Sequence, residues 1–156
     1  MDGDTTQTDP LRAAAIQAFW LLRIAFTAAP ILFGIDKFFN WTVHWPNYLA
    51  GWINGNAPGS AQQFMYVVGA IEIVAGLTVA IAPRVGAPLV AAWLAGIVIN
   101  LLTVNPPEYY DIALRDFGLM LGALTLARLA WAIPQPTVLR LAAHSRRHQS
   151  SLSGAP

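Results

Sequence analysis

Glu72 is the residue best placed to do chemistry in this chain. It stands inside an apolar run, residues 64–81, that is long enough to cross a bilayer. A second such run, residues 16–34, carries Arg23 near its middle. Ionisable groups at membrane depth are costly, and they face a partner or a cavity inside a helix bundle. Asn100, Arg115 and Asp116 bring polar groups into two further apolar stretches, and Asp36, Lys37 and Asp111 stand where such stretches end. An acid and a base at one depth form a desolvated ion pair, whereas a lone buried acid favours its neutral form and can carry a proton. Both outcomes remain open for Glu72.

Composition sets the solvent. Of 156 residues, 56% are hydrophobic and 11% charged, and the mean hydropathy is +0.50. A soluble domain carries about 25% charged residues, so the deficit points to lipid. The formal net charge of +1 leaves no nucleic-acid footprint. Cysteine is absent, which removes disulfides, thiolate metal sites and Cys-based redox catalysis. His44 is the only histidine outside the C-terminal tail, so bis-His haem is not expected. No Ser-His-Asp set, phosphate loop or metal-ligand spacing is present.

The elements that must position these residues are helices. Hydropathy predicts four spans, at residues 13–38, 62–82, 86–104 and 111–133. Each has the roughly 18 to 20 mostly apolar residues that a hydrocarbon core of about 30 Å requires. Pro83, Pro106-Pro107, Pro134 and Pro136 punctuate their ends, and Pro30 should kink the first. Between the first two spans, Trp41, Trp45, Tyr48, Leu49 and Trp52 recur near helical spacing. That predicts a short helix lying in the interface or capping the bundle, with Pro46 opening it. The expected fold is therefore all-α, a polytopic membrane four-helix bundle over residues 13–133. Residues 1–12 and 134–156 are expected to be polar, mostly disordered cytoplasmic segments. Asp2, Asp4 and Asp9, with no base beside them, argue against a cleaved signal peptide. Arg12, Arg84, Arg140, Arg146 and Arg147 against Lys37 and Arg115 put both termini in the cytoplasm of a cell-membrane protein.

Each span carries small and polar residues at spacings of three and four, which keeps them on one helix face. The sets are Arg23, Thr27, Pro30, Gly34 and Lys37; Gly69, Glu72 and Gly76; Ala92, Gly96, Asn100 and Thr103; and Asp111, Arg115, Gly118, Gly122 and Thr125. Such faces serve as packing seams in lipid, although packing does not require the charges. With each span centred on the bilayer, Glu72 lies at the midplane and Arg23 about 4 Å to the cytoplasmic side. Asn100 then lies roughly 7 Å outward, and Arg115 with Asp116 roughly 10 Å outward. This predicts an Arg23–Glu72 pair, with Arg115 or Asp116 joining Lys37 and Asp36 above it.

The chain resembles the DoxX-like family of small bacterial membrane proteins. The resemblance rests on Leu22-Arg23, on Gly34-Ile35-Asp36-Lys37 and on Ile71-Glu72-Ile73-Val74-Ala75-Gly76-Leu77, with residues 110–116 as a further element. It implies a four-helix membrane bundle. Some relatives are linked to thiosulfate oxidation with quinone as acceptor, and others to membrane oxidoreductase complexes that handle oxidative stress. A branch that works through cysteines does not apply to a chain without them.

Three functions follow as expectations. The first is an accessory or anchor subunit of a quinone-linked redox system, with redox proteins as partners and quinone as the candidate cofactor. Trp41, Tyr109 and Tyr110, beside Asn100 and Arg115, offer ring and donor contacts for a quinone head, or simply form an interfacial aromatic belt. The second is a small proton-coupled transporter, in which a homo-oligomer would compensate for the missing repeat. The third is a purely structural interaction module.

Overall fold

The computed structural model describes residues 10–56, 58–104 and 108–133. Helix α1 runs Pro10–Phe39 without a break at Pro30. A 3-10 turn, Trp45–Tyr48, and a short helix α2, Gly51–Asn56, follow. Then come α3 (Ala61–Ile81), α4 (Pro83–Leu102) and α5 (Tyr110–Ala132). Residues 10–12, expected outside the first helix, form its first turn. The expected termini 1–9 and 134–156 lie outside the described residues, as do Pro106 and Pro107.

Local chemistry sets these boundaries. Ser60 caps α3 by accepting from the Gln63 amide, and the Gln63 side chain accepts from the Ser60 amide, a complete capping box. Ala82 alone separates α3 from α4, and Pro83 opens α4 at its first position, where a missing N–H costs nothing. Pro46 likewise stands in the first turn of the 3-10 helix, as its sequence context predicts.

The four long helices form a ring, α1 on α3, α3 on α4, α4 on α5 and α5 back on α1. The core is small: Phe19 and Phe26 meet Ala75, Val79, Ala87, Val90, Ala91, Ala123, Leu126 and Ala130. The largest apolar side chains point the other way. Leu21, Leu32, Val74, Val85, Leu114 and Trp131 are each at least 60% exposed. A bundle that packs on alanine and glycine and turns its leucines outward is built for lipid, where small residues let helices approach closely. Three helices, α1, α3 and α4, are long and apolar enough to cross a membrane. The chain is thus an all-helical membrane bundle.

The two halves of the ring pack differently. In the α1–α3 half the expected faces meet. A Cβ on Gly34 would stand 2.6 Å from the Gly69 carbonyl oxygen, so backbone lies against backbone. In the α4–α5 half the expected faces miss. Ala92, Gly96, Thr103, Asp111, Arg115, Gly118 and Thr125 are exposed. The seam uses Ala87, Val90 and Ala91 against Ala123, Leu126 and Ala130 instead. The physical reason lies in the hydroxyls. Thr125 donates to the Leu121 carbonyl and Thr103 to Ile99 within their own helices. They are satisfied where they stand and need no neighbouring helix.

Candidate functional site

The site begins with the antiparallel crossing of α1 and α3. Gly34 faces Gly69, Thr27 faces Gly76, and Arg23 faces Ala80. Because Gly69 has no side chain, the stem of Lys37 can lie against it; a Cβ there would come within 3.2 Å of the Lys37 Cβ. The ammonium then reaches along the seam to Glu72. Lys37 Nζ donates to Glu72 Oε2 at 2.7 Å, and both side chains are more than nine-tenths buried. The Trp45 ring closes over this pair, its centroid 3.7 Å from Nζ, a desolvated cation–π contact.

A second network fixes that tryptophan. Asp36 lies in the last turn of α1 and is buried, 4% exposed. Its carboxylate accepts from the Trp41 amide at 2.9 Å, the Thr42 amide at 3.2 Å, the Thr42 hydroxyl and Trp45 Nε1 at 2.7 Å. Asn40, at φ 52, supports the same turn: it donates to Gln62 Oε1 and accepts from the Trp45 amide. From the other side Asn100 on α4 accepts from the Ala50 amide at 2.9 Å and donates to the Tyr48 carbonyl at 2.7 Å. Trp52 Nε1 donates to Thr103. The aromatic segment after α1 is therefore a cap on the bundle, bolted to α1, α3 and α4.

Two expectations are corrected. Arg23 does not pair with Glu72; its guanidinium donates to the Ala80 carbonyl and lies over the Trp20 ring. Ala80 stands two turns beyond Glu72 on α3, roughly 12 Å along the axis. Centring each span on the bilayer misplaced Arg23, because α1 is 30 residues long and begins well before α3 ends. Of the two residues expected to join Lys37 and Asp36, Arg115 does not, and Asp116 comes within electrostatic reach of Lys37 but not of Asp36. The Arg115 side chain is 64% exposed, and its Nε stands 3.3 Å from the carboxylate of its neighbour Asp116. Asp116 is buried and lies within electrostatic reach of both Lys37 and Glu72.

The remaining candidates separate. Asp111 and Tyr110 are exposed at the start of α5, and Trp41 is exposed and stacked on Phe39 at 4.4 Å. Tyr109 packs its ring 4.5 Å from Tyr48. Burial, with the Glu108 carboxylate and Tyr48 nearby, raises the Tyr109 phenol above its ordinary range, so it stays a donor. Among the described residues no cluster of His, Cys, Asp or Glu could hold a metal ion.

The model of the DoxX family matches residues 18–105, more than half of the chain. The chain belongs to the DoxX family. No curated protein and no solved structure matches the chain. The matched DoxX segment holds Arg23, Asp36, Lys37, Glu72 and Asn100, together with the whole cap. It ends before Tyr109, Tyr110, Arg115 and Asp116.

Sequence reasoning missed two residues of this DoxX site. Trp45 is one, read only as one ring of a short interfacial or capping helix and not as a contact of the buried pair. Trp93 is the other: its Nε1 is buried beside Glu72 and has no hydrogen-bond partner in good geometry among the described residues. Asp36 held the available signal. An acid in the last turn of a helix opposes the helix dipole, so it must be neutralised by donors close by, and Trp41, Thr42 and Trp45 follow within ten residues.

Proposed function

We propose that this DoxX-family chain is an accessory or anchor subunit of a quinone-linked redox assembly in a cell membrane. The observation that carries the reading is Trp93 Nε1, a buried donor that lies beside the Glu72 carboxylate without a well-formed hydrogen bond to it. A buried donor whose hydrogen bond is poorly formed is costly, and a carbonyl oxygen of a quinone head would complete it. A bound quinone would supply the electron-accepting group. Trp93 would orient its head, with Glu72 and Asp116 close by, and exposed Leu and Ile side chains offer the tail an apolar flank. Lys37 and Trp45 hold the Glu72 carboxylate in one place, as an anchoring module needs.

The reading includes α5 as a fourth crossing, 23 residues long, with both termini cytoplasmic. Redox proteins are its partners, and a homo-oligomer is compatible with its exposed apolar faces. Isolation from native membranes in mild detergent tests it. Expected is a redox-active quinone, lost in Trp93→Phe, together with partner proteins at fixed stoichiometry. Partners without quinone would leave a purely structural module. The chain alone, without quinone, would contradict the reading.

A proton-coupled transporter is a second reading, favoured by one observation. Two buried carboxylates lie near one buried ammonium: Glu72 is bonded to Lys37, and Asp116, held by the exposed Arg115, is within electrostatic reach of both, an arrangement through which a proton could pass. Proton flux into vesicles that is abolished by Glu72→Gln would favour it.

A further inference from the structure

We infer that the α1–α3 flank around Arg23 is a binding site for an anionic phospholipid. Arg23 is half-buried, and among the described residues no carboxylate lies within ion-pair distance of it. One guanidinium nitrogen donates to the Ala80 carbonyl. The group lies 4.9 Å from the Trp20 ring centroid and 5.8 Å from that of Phe19, which fixes its plane. Among the described residues its remaining donors have no acceptor. They open into a shallow groove of about 310 Å³ lined by Trp20, Arg23, Ile24, Thr27, Ala28 and Ala80.

Depth and charge select the occupant. Ala80 is the penultimate residue of α3, and the α3–α4 turn follows at Ala82. The guanidinium therefore stands beside the α3–α4 turn, an end of the helix ring where lipid phosphates would lie, and not at its middle. Arginine takes phosphate oxygens through its planar fork, and its stem runs along apolar surface. The floor of the groove, Ile24, Thr27 and Ala28, continues down α1 as a strip against which an acyl chain can lie. An unpaired cation, an aromatic wall and an apolar strip at one rim form the complement of a lipid with net negative charge. This inference stands apart from the redox reading, because it uses none of Glu72, Lys37 or Trp93.

The test is native mass spectrometry of the full chain released from nanodiscs of equal parts phosphatidylglycerol and phosphatidylcholine. The wild type should retain phosphatidylglycerol in preference to phosphatidylcholine. Arg23→Gln should lower that preference about fivefold, the contribution expected of one basic residue at an anionic surface. Ala28→Trp keeps the charge, fills an exposed groove position and should lower retention as well, so the result does not depend on Arg23→Gln folding. Arg128→Gln removes an exposed charge on α5 and should change nothing. Equal retention of the two lipids by the wild type would overturn the inference. So would unchanged preference in both groove variants, or an equal loss in Arg128→Gln.

Discussion

The α1–α3 half and the α4–α5 half of this bundle solve the same packing problem differently. In the first, glycine faces glycine, the backbones touch, and the space gained is filled by a buried ion pair under a tryptophan. In the second, alanines interlock with Val90 and Leu126, and Thr125 and Arg115 turn outward, while Asn100 bonds the cap and Asp116 stays buried. Small residues at helical spacing are thus ambiguous alone. A charged residue that the neighbouring helix can reach decides which stripe becomes a seam.

The largest way to break this contrast is at the ion pair. Glu72→Ala leaves the Lys37 ammonium buried without a partner and should cost about 3–5 kcal/mol. Its partner Lys37→Met should cost a similar amount, and the double variant Lys37→Met/Glu72→Leu much less than the sum. Unfolding in mixed detergent micelles would measure all three, and additive losses would mean that the two groups do not interact.

The glycines sharpen the comparison next. Gly69→Ala puts a methyl 2.5 Å from the Gly34 carbonyl oxygen and should cost about 1–3 kcal/mol as α1 and α3 separate. Gly96→Ala, in open space on α4, should be neutral or raise stability by up to about 1 kcal/mol. Equal effects at the two sites would erase the difference between the halves.

The cap gives a smaller effect. Asn100→Ala removes both bonds to the Tyr48–Ala50 turn and should cost about 1–2 kcal/mol. It should also speed proteolysis after Trp45 or Tyr48 in reconstituted vesicles. Smallest is Thr125→Ala, which loses only a bond within its own helix and should stay within about 0.5 kcal/mol of wild type on the same unfolding assay.

Much of this was legible in the sequence, and the reasons are particular. The helices announced themselves through apolar runs and prolines, and Gly34, Gly69 and Gly76 through their spacing. Glu72 was visible as a buried acid because nothing around it is polar. Its partner was not, since depth along a helix fixes only where the backbone stands. A lysine stem spans several ångströms, so Lys37, packed against Gly69, reaches along α3 to Glu72, whereas Arg23 stands beside Ala80, two turns off. The role of Trp45 was hidden because it depends on how the chain folds back after Asn40, at a positive φ. The outward turn of the α4 and α5 stripes was hidden because a threonine bonded to its own helix and one bonded across a seam look alike in sequence.

The ion pair itself can be observed in a bilayer. Dipolar-recoupling solid-state NMR on the chain in liposomes, with labelled lysine and arginine side-chain nitrogens and glutamate carboxyl carbon, measures which cation holds Glu72. The account predicts a strong coupling between Glu72 Cδ and Lys37 Nζ, whose nitrogen lies 2.7 Å from the carboxylate oxygen. A coupling to the Arg23 guanidinium in its place, or no coupling to either, would contradict it.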